Sequence, residues 1–216
     1  MPQHILVPLD GSAHGFAGLE YSLASFPDAS VTALTVVDPT RDHTAAVGAS
    51  ESPQERAENR GEEILERAAE RAADHDREIR TLLRTGRPHT EILAVVTDDD
   101  IDHVVMGSHG ESPITSPFLG HVSETVIRRA PVSATIVPEL AAALHERDLP
   151  GDLLIPVDGS EQAEAALAYA LETFPDGSHT AIHVLELPFD QSAAVEGTDL
   201  DEIRAAAEDR AEEILA

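Results

Sequence analysis

Val104-Val105-Met106-Gly107-Ser108-His109-Gly110, with Gly120-His121-Val122-Ser123 nine residues beyond, joins an apolar run to a glycine-bounded loop and then to a helical pattern. A short β-branched run of this kind reads as a buried strand. Glycines let the backbone approach a ligand closely, and the first-turn amides of the following helix favour an anion. The glycine spacing alone is equally that of a phosphate site, an empty anion nest or a tight crossover.

The same order of elements extends outward in both directions. Ile5-Leu6-Val7-Pro8-Leu9 is a strand ending in the turn Asp10-Gly11-Ser12, and a helical stretch follows to about Phe26. Residues 31–37 are rich in β-branched side chains and give a second strand. After a loop, Ser52-Pro53-Gln54-Glu55 combines a capping box with proline at the first helical position, and the helix it opens runs to about Asp74. Glu63 and Arg67 stand four apart on that helix, a favourable ion-pair spacing. A third strand over 79–84, a helix over 91–97, a fourth strand over 103–106, a helix over 122–129 and a fifth strand from Val132 to Val137 complete the series. Strict alternation implies an α/β, Rossmann-like open five-stranded parallel sheet with helices on both faces.

The chain then repeats itself. Ile5-Leu6-Val7-Pro8-Leu9-Asp10-Gly11-Ser12 returns 148 residues later as Leu153-Leu154-Ile155-Pro156-Val157-Asp158-Gly159-Ser160, and Phe26-Pro27-Asp28 returns as Phe174-Pro175-Asp176. Arg60-Gly61-Glu62-Glu63-Ile64-Leu65 returns at an offset of 150 as Arg210-Ala211-Glu212-Glu213-Ile214-Leu215. This is the pattern of a tandem duplication. The expected organisation is a complete domain over 1–138, a linker over 139–151 and a partial β-α-β-α copy over 152–216, with the whole belonging to a longer tandem protein.

Composition narrows the function. The 216 residues carry 14 basic and 41 acidic side chains, a net charge of −27, yet 42% are hydrophobic, enough to build a core. Every basic residue is arginine, so a P-loop lysine, a Schiff-base lysine and a lysine general base are all excluded. With no cysteine, disulfide frameworks and thiol chemistry are excluded too. So acidic a surface repels itself at low salt, whereas at molar salt the Debye length falls to about 3 Å and the repulsion is screened. Acidity without lysine, with few phenylalanines and no tryptophan, fits a protein adapted to a molar-salt cytoplasm. Nucleic acid is not an expected partner, because counterion release would oppose binding. No apolar run is long enough to insert in a membrane, and the first residues lack a secretory pattern, so a cytoplasmic location is expected.

The glycine segment closely resembles the universal stress protein family, whose ATP-binding members carry G-x2-G-x9-G-[S/T]. The likeness extends to Ile5 through Ser12, Val36-Val37-Asp38, Gly86-Arg87-Pro88 and the stretch from Gly120 to Pro138. The resemblance implies adenine and ribose near Pro8, Leu9, Asp10 and Val36, with Asp10 contacting ribose or base. Met106, Gly107 and Gly110 would then line the nucleotide, and Gly120, His121, Val122 and Ser123 would meet the phosphates. His121 stands where the family has a hydroxyl, and Glu111 lies in a loop that often carries a basic residue. A triphosphate would lean on amides, on His109 or His121, and on Mg²⁺. The resemblance also implies dimer pairing along the last strand, here Val132 to Val137.

No catalytic constellation is legible: Asp10 and Ser12 lack a third orienting group. The eleven histidines show no recognised ligand spacing and read as scattered surface residues, so no metal site is expected. The leading expectation is a non-enzymatic, regulatory stress-response protein that binds ATP or another adenine nucleotide. The alternative is an interaction module without nucleotide, dimerising or docking on a protein partner such as a transporter.

Overall fold

Five of the apolar runs meet in one sheet. The computed structural model describes residues 1–38, 52–110, 119–138, 151–185 and 200–215. Residues 39–51, 111–118 and 139–150, which include Glu111 and most of the expected linker, lie outside the described residues. The chain divides into two compact units, Met1–Arg147 and Asp148–Ala216.

The first unit runs β1 (His4–Leu9), α1 (Ala13–Ser25), β2 (Ser30–Val37), α2 (Pro53–Asp74), β3 (Arg80–Thr85), α3 (Pro88–Asp98), β4 (His103–Gly107), α4 (His121–Arg129) and β5 (Ser133–Val137). All strand pairs are parallel, in the order β3-β2-β1-β4-β5. The expected five-stranded sheet is therefore present. α3 opens three residues earlier than its apolar pattern indicates, because Pro88 presets the backbone dihedral of a first helical turn. The last strand starts one residue later than expected, at Ser133.

Alternation along the strands separates two cores. Leu6, Leu34, Val104 and Met106 face Ile92, Val95 and Val96 of α3 and Val126 of α4. Ile5, Val7, Ala33 and Val105 point to the opposite face, where α1 and α2 pack. On that face Phe16 carries the guanidinium groups of Arg67 and Arg71 at 4.5 and 4.4 Å from its ring centre. Glu20 of α1 then accepts from Arg71 at 3.1 Å and meets His75 at 2.7 Å, tying α1 to the end of α2.

The capping box that opens α2 is complete: the Glu55 amide donates to Ser52 Oγ at 3.2 Å, and the Ser52 amide to the Glu55 carboxylate at 2.7 Å. Arg77, just past α2, closes the far end of α1 by donating to the carbonyls of Leu23, Phe26 and Ala29.

The second unit contains β6 (Asp152–Pro156), α5 (Glu161–Thr173), β7 (Ser178–Ile182) and α6 (Leu200–Leu215), with β6 and β7 parallel. Its opening turn has the geometry of the first. Gly11 and Gly159 both take left-handed backbone angles, φ 93° and 80°, which a residue with a side chain rarely adopts. Ser12 caps the Gly15 amide at 3.1 Å, and Ser160 caps that of Ala163 at 3.2 Å. Asp10 accepts from the Ser12 amide at 3.1 Å, and Asp158 from that of Ser160 at 2.9 Å. Both Phe26 and Phe174 end their helices at closely similar backbone angles.

Candidate functional site

Order β3-β2-β1-β4-β5 makes β1 and β4 the switch point of the first unit. From the end of β1 the chain passes to one face of the sheet, and from the end of β4 to the other. An open α/β sheet has its crevice there, outside the carboxyl ends of those two strands.

The two strand ends are fitted to each other through missing side chains. A Cβ on Gly107 would lie 2.5 Å from the His14 carbonyl carbon and 2.7 Å from its Cβ, so the first turn of α1 rests directly on the end of β4. A Cβ on Gly110 would collide with the carboxylate of Asp10, which reaches across from β1. Asp10 is thus held between its own turn, where it accepts from the Ser12 amide, and the backbone of the loop that follows β4.

That loop is pinned at its neck. Ser108 N–H donates to the Val137 carbonyl at 2.9 Å and keeps the exit of β4 tied to β5. The Gly120 amide donates to the Ser108 carbonyl at 2.8 Å, joining the return of the loop to its departure. Ser123 Oγ, buried, donates to the Gly107 carbonyl at 2.9 Å. A Cβ on Gly120 would come within 3.4 Å of His109 Cα. The neck closes around backbone, and α4 starts from it without a side-chain cap. α1, α2 and α5 are each capped by a serine hydroxyl instead. Uncapped first-turn amides at the positive end of a helix form an anion-binding arrangement.

The structure gathers the sequence-predicted residues at this edge. Asp10, Gly110 and His121 are exposed, and Pro8, Val36, His109, Gly120 and Val122 are half-buried. Leu9 and Met106 are buried; the Met106 side chain belongs to the core beneath. Gly107 and Ser123 are buried as well, and the Ser123 hydroxyl is directed to the neck.

Two residues that sequence reasoning missed also stand here. His14, in the first turn of α1, meets the His109 ring edge-on at 5.6 Å between centroids. His89, in the first turn of α3, meets His121 at 6.1 Å. The sequence signal is a histidine two residues beyond the Asp10–Ser12 turn and another three beyond Gly86, which gains meaning only once the helices are placed side by side.

Other histidines serve the fold. His4 Nε2 bonds Thr32 Oγ1, and His103 Nε2 bonds Thr135 Oγ1, each at 2.9 Å. His103 is 1% exposed, which corrects its reading as a surface residue. Burial pushes its imidazole down to about 4, against the pull of neighbouring Asp102. Among the described residues, no three or more acidic or histidine side chains are grouped to hold a metal. None of the described helices is long and apolar enough to cross a membrane.

The sequence pattern of the universal stress protein family matches residues 1–138. A universal stress protein of Methanothermobacter thermautotrophicus is 32% identical over 113 residues, covering 51% of this chain and 77% of that protein. One of Methanocaldococcus jannaschii is 34% identical over 53 residues, 24% of this chain, and the match spans only 33% of that relative. The crystal structure of a universal stress protein from Archaeoglobus fulgidus aligns with 97% of this chain and 74% of its own, at 24% identity and a TM-score of 0.63. At that identity the likeness is one of fold.

Proposed function

The chain belongs to the universal stress protein family, and from that premise we propose that its first unit binds an adenine nucleotide, ATP foremost, as a regulatory rather than catalytic protein. The observation that carries the reading is the pinned neck. Gly107, Gly110 and Gly120 bring backbone and uncapped α4 amides together beside Asp10, in space that side chains would fill. Adenine and ribose lie against Pro8, Leu9, Asp10 and Val36. Met106, Gly107, His109 and Gly110 line the nucleotide, and Gly120, His121, Val122 and Ser123 face the phosphates, the last by holding the Gly107 carbonyl. Mg²⁺ accompanies a triphosphate, and the acid-rich surface suits a molar-salt cytoplasm.

The second unit is a copy of the first half of the first. Support comes from the sequence repeat and from the shared glycine, aspartate and serine geometry of the two opening turns. Two chains pair along β5, an edge strand of the sheet.

Calorimetric titration of ATP with Mg²⁺ in molar KCl, compared with AMP and GTP, tests the proposal. Saturable binding of ATP, lost on Asp10→Ala, is expected. A folded protein silent to every nucleotide would reject it and favour the alternative of an interaction module docking on a protein partner.

A further inference from the structure

Phosphates call for positive charge, and this chain contains no lysine. Four helices open at the carboxyl edge of the sheet; α2 has Arg56 in its first turn, whereas the first turns of α1, α3 and α4 hold neither lysine nor arginine. Each holds one histidine instead: His14, His89 and His121. His109 is the fourth, on the loop leaving β4. The rings of His14 and His109 meet at 5.6 Å, and the His14 backbone is also what a Cβ on Gly107 would strike. We propose that His14 and His109 form a paired phosphate contact that engages the nucleotide as imidazolium, so that binding takes up protons and strengthens as pH falls.

The charges around the pair decide what an anion does there. Two imidazolium rings this close repel each other, and the positive end of α1 adds to the repulsion. A polyphosphate places several negative charges beside both rings, and an opposite charge at that range favours the protonated form of an imidazole. From β1, Asp10 is the adjacent carboxylate, already engaged by the Ser12 amide. From the β4 exit, the Ser108 hydroxyl meets His109 Nδ1 at 3.2 Å. α4 contributes His121 and Glu124, whose carboxylate is 3.1 Å from Arg128. α3 brings His89 against His121 rather than against the pair itself. Imidazole is the side chain whose charge turns over near neutrality, so this cationic contact is conditional where a lysine's would be permanent.

The inference rests on the nucleotide reading, and the test separates the two. ATP and uncharged adenosine are titrated without Mg²⁺ between pH 6 and 8, in buffers of different ionisation enthalpy, into the wild-type protein and His14→Gln/His109→Gln. About one extra proton taken up per ATP by the wild type, and an affinity rising up to about tenfold per pH unit relative to the variant, are expected. The phosphate's own proton is common to both proteins and cancels. Adenosine should show no such difference. Histidine ring NMR of the wild-type protein reads the same protonation should the variant not fold. ATP binding with equal proton uptake in both proteins, or ring signals unmoved by ATP, overturns the histidine pair and leaves the nucleotide reading intact. No ATP binding to the folded wild type at any pH overturns both.

Discussion

Replacing His103 with glutamine should flatten the acid sensitivity of the fold. His103 opens the strand that delivers the glycine loop, is 1% exposed, and packs its ring 5.6 Å from that of Phe26. Desolvation holds the folded imidazole down to about 4, while in the unfolded chain it titrates near its ordinary value of about 6.5. Between those two values the unfolded state binds the extra proton, so stability is complete above the upper value and falls as acid is added. From pH 7.5 to 5 the loss is about 2 kcal/mol. Glutamine can keep a polar nitrogen near Thr135 but takes up no proton. It lacks the ring that meets Phe26 and should be less stable at pH 7.5 by about 1–2 kcal/mol. Denaturant unfolding of both proteins at several pH values in molar KCl gives the difference. Protonation of the many carboxylates acts on both and cancels. The stability advantage of the wild type should shrink by about 2 kcal/mol between pH 7.5 and 5. Parallel pH profiles would refute a buried neutral His103.

Other perturbations separate the fold of the site from its function. Gly107→Ala drives a methyl into the His14 backbone, which cannot yield as a side-chain end can. Denaturant melts should show a loss of about 1–3 kcal/mol, and calorimetry should show no nucleotide binding. Gly110→Ala meets the movable Asp10 carboxylate instead, so nucleotide binding should fall sharply with little change in melting. Ser123→Ala leaves the buried Gly107 carbonyl without its hydroxyl donor and should cost about 1–3 kcal/mol, measured in the same melts. Light scattering in molar KCl should give the mass of two chains, and a monomer would count against pairing through β5.

Local chemistry made much of the fold legible. Apolar runs bounded by turn residues located every strand of the first unit to within a residue or two. The Ser52–Glu55 capping box formed as its spacing dictates, and the turns at Gly11 and Gly159 share a left-handed backbone and a serine cap. Contacts between distant segments were not legible. Arg67 sits four residues after Glu63, yet its guanidinium lies over Phe16 of another helix, a partner no local spacing announces. His103 belongs to a strand whose neighbours bury it, so polarity alone misplaced it at the surface. At the candidate site the glycine spacing marked the loop. The bond across its neck and the meeting of His14 with His109 depend on how α1 packs over β4.

Whether the pinned glycine neck beside Asp10 holds a nucleotide decides the proposed function. Titration of ATP into the protein in molar KCl, with Gly110→Ala alongside, tests it most directly. Saturable binding with Kd in the micromolar range is expected of the wild type, and loss of binding in a variant that melts like the parent. Equal binding by both proteins, or none by a folded wild type, would contradict it.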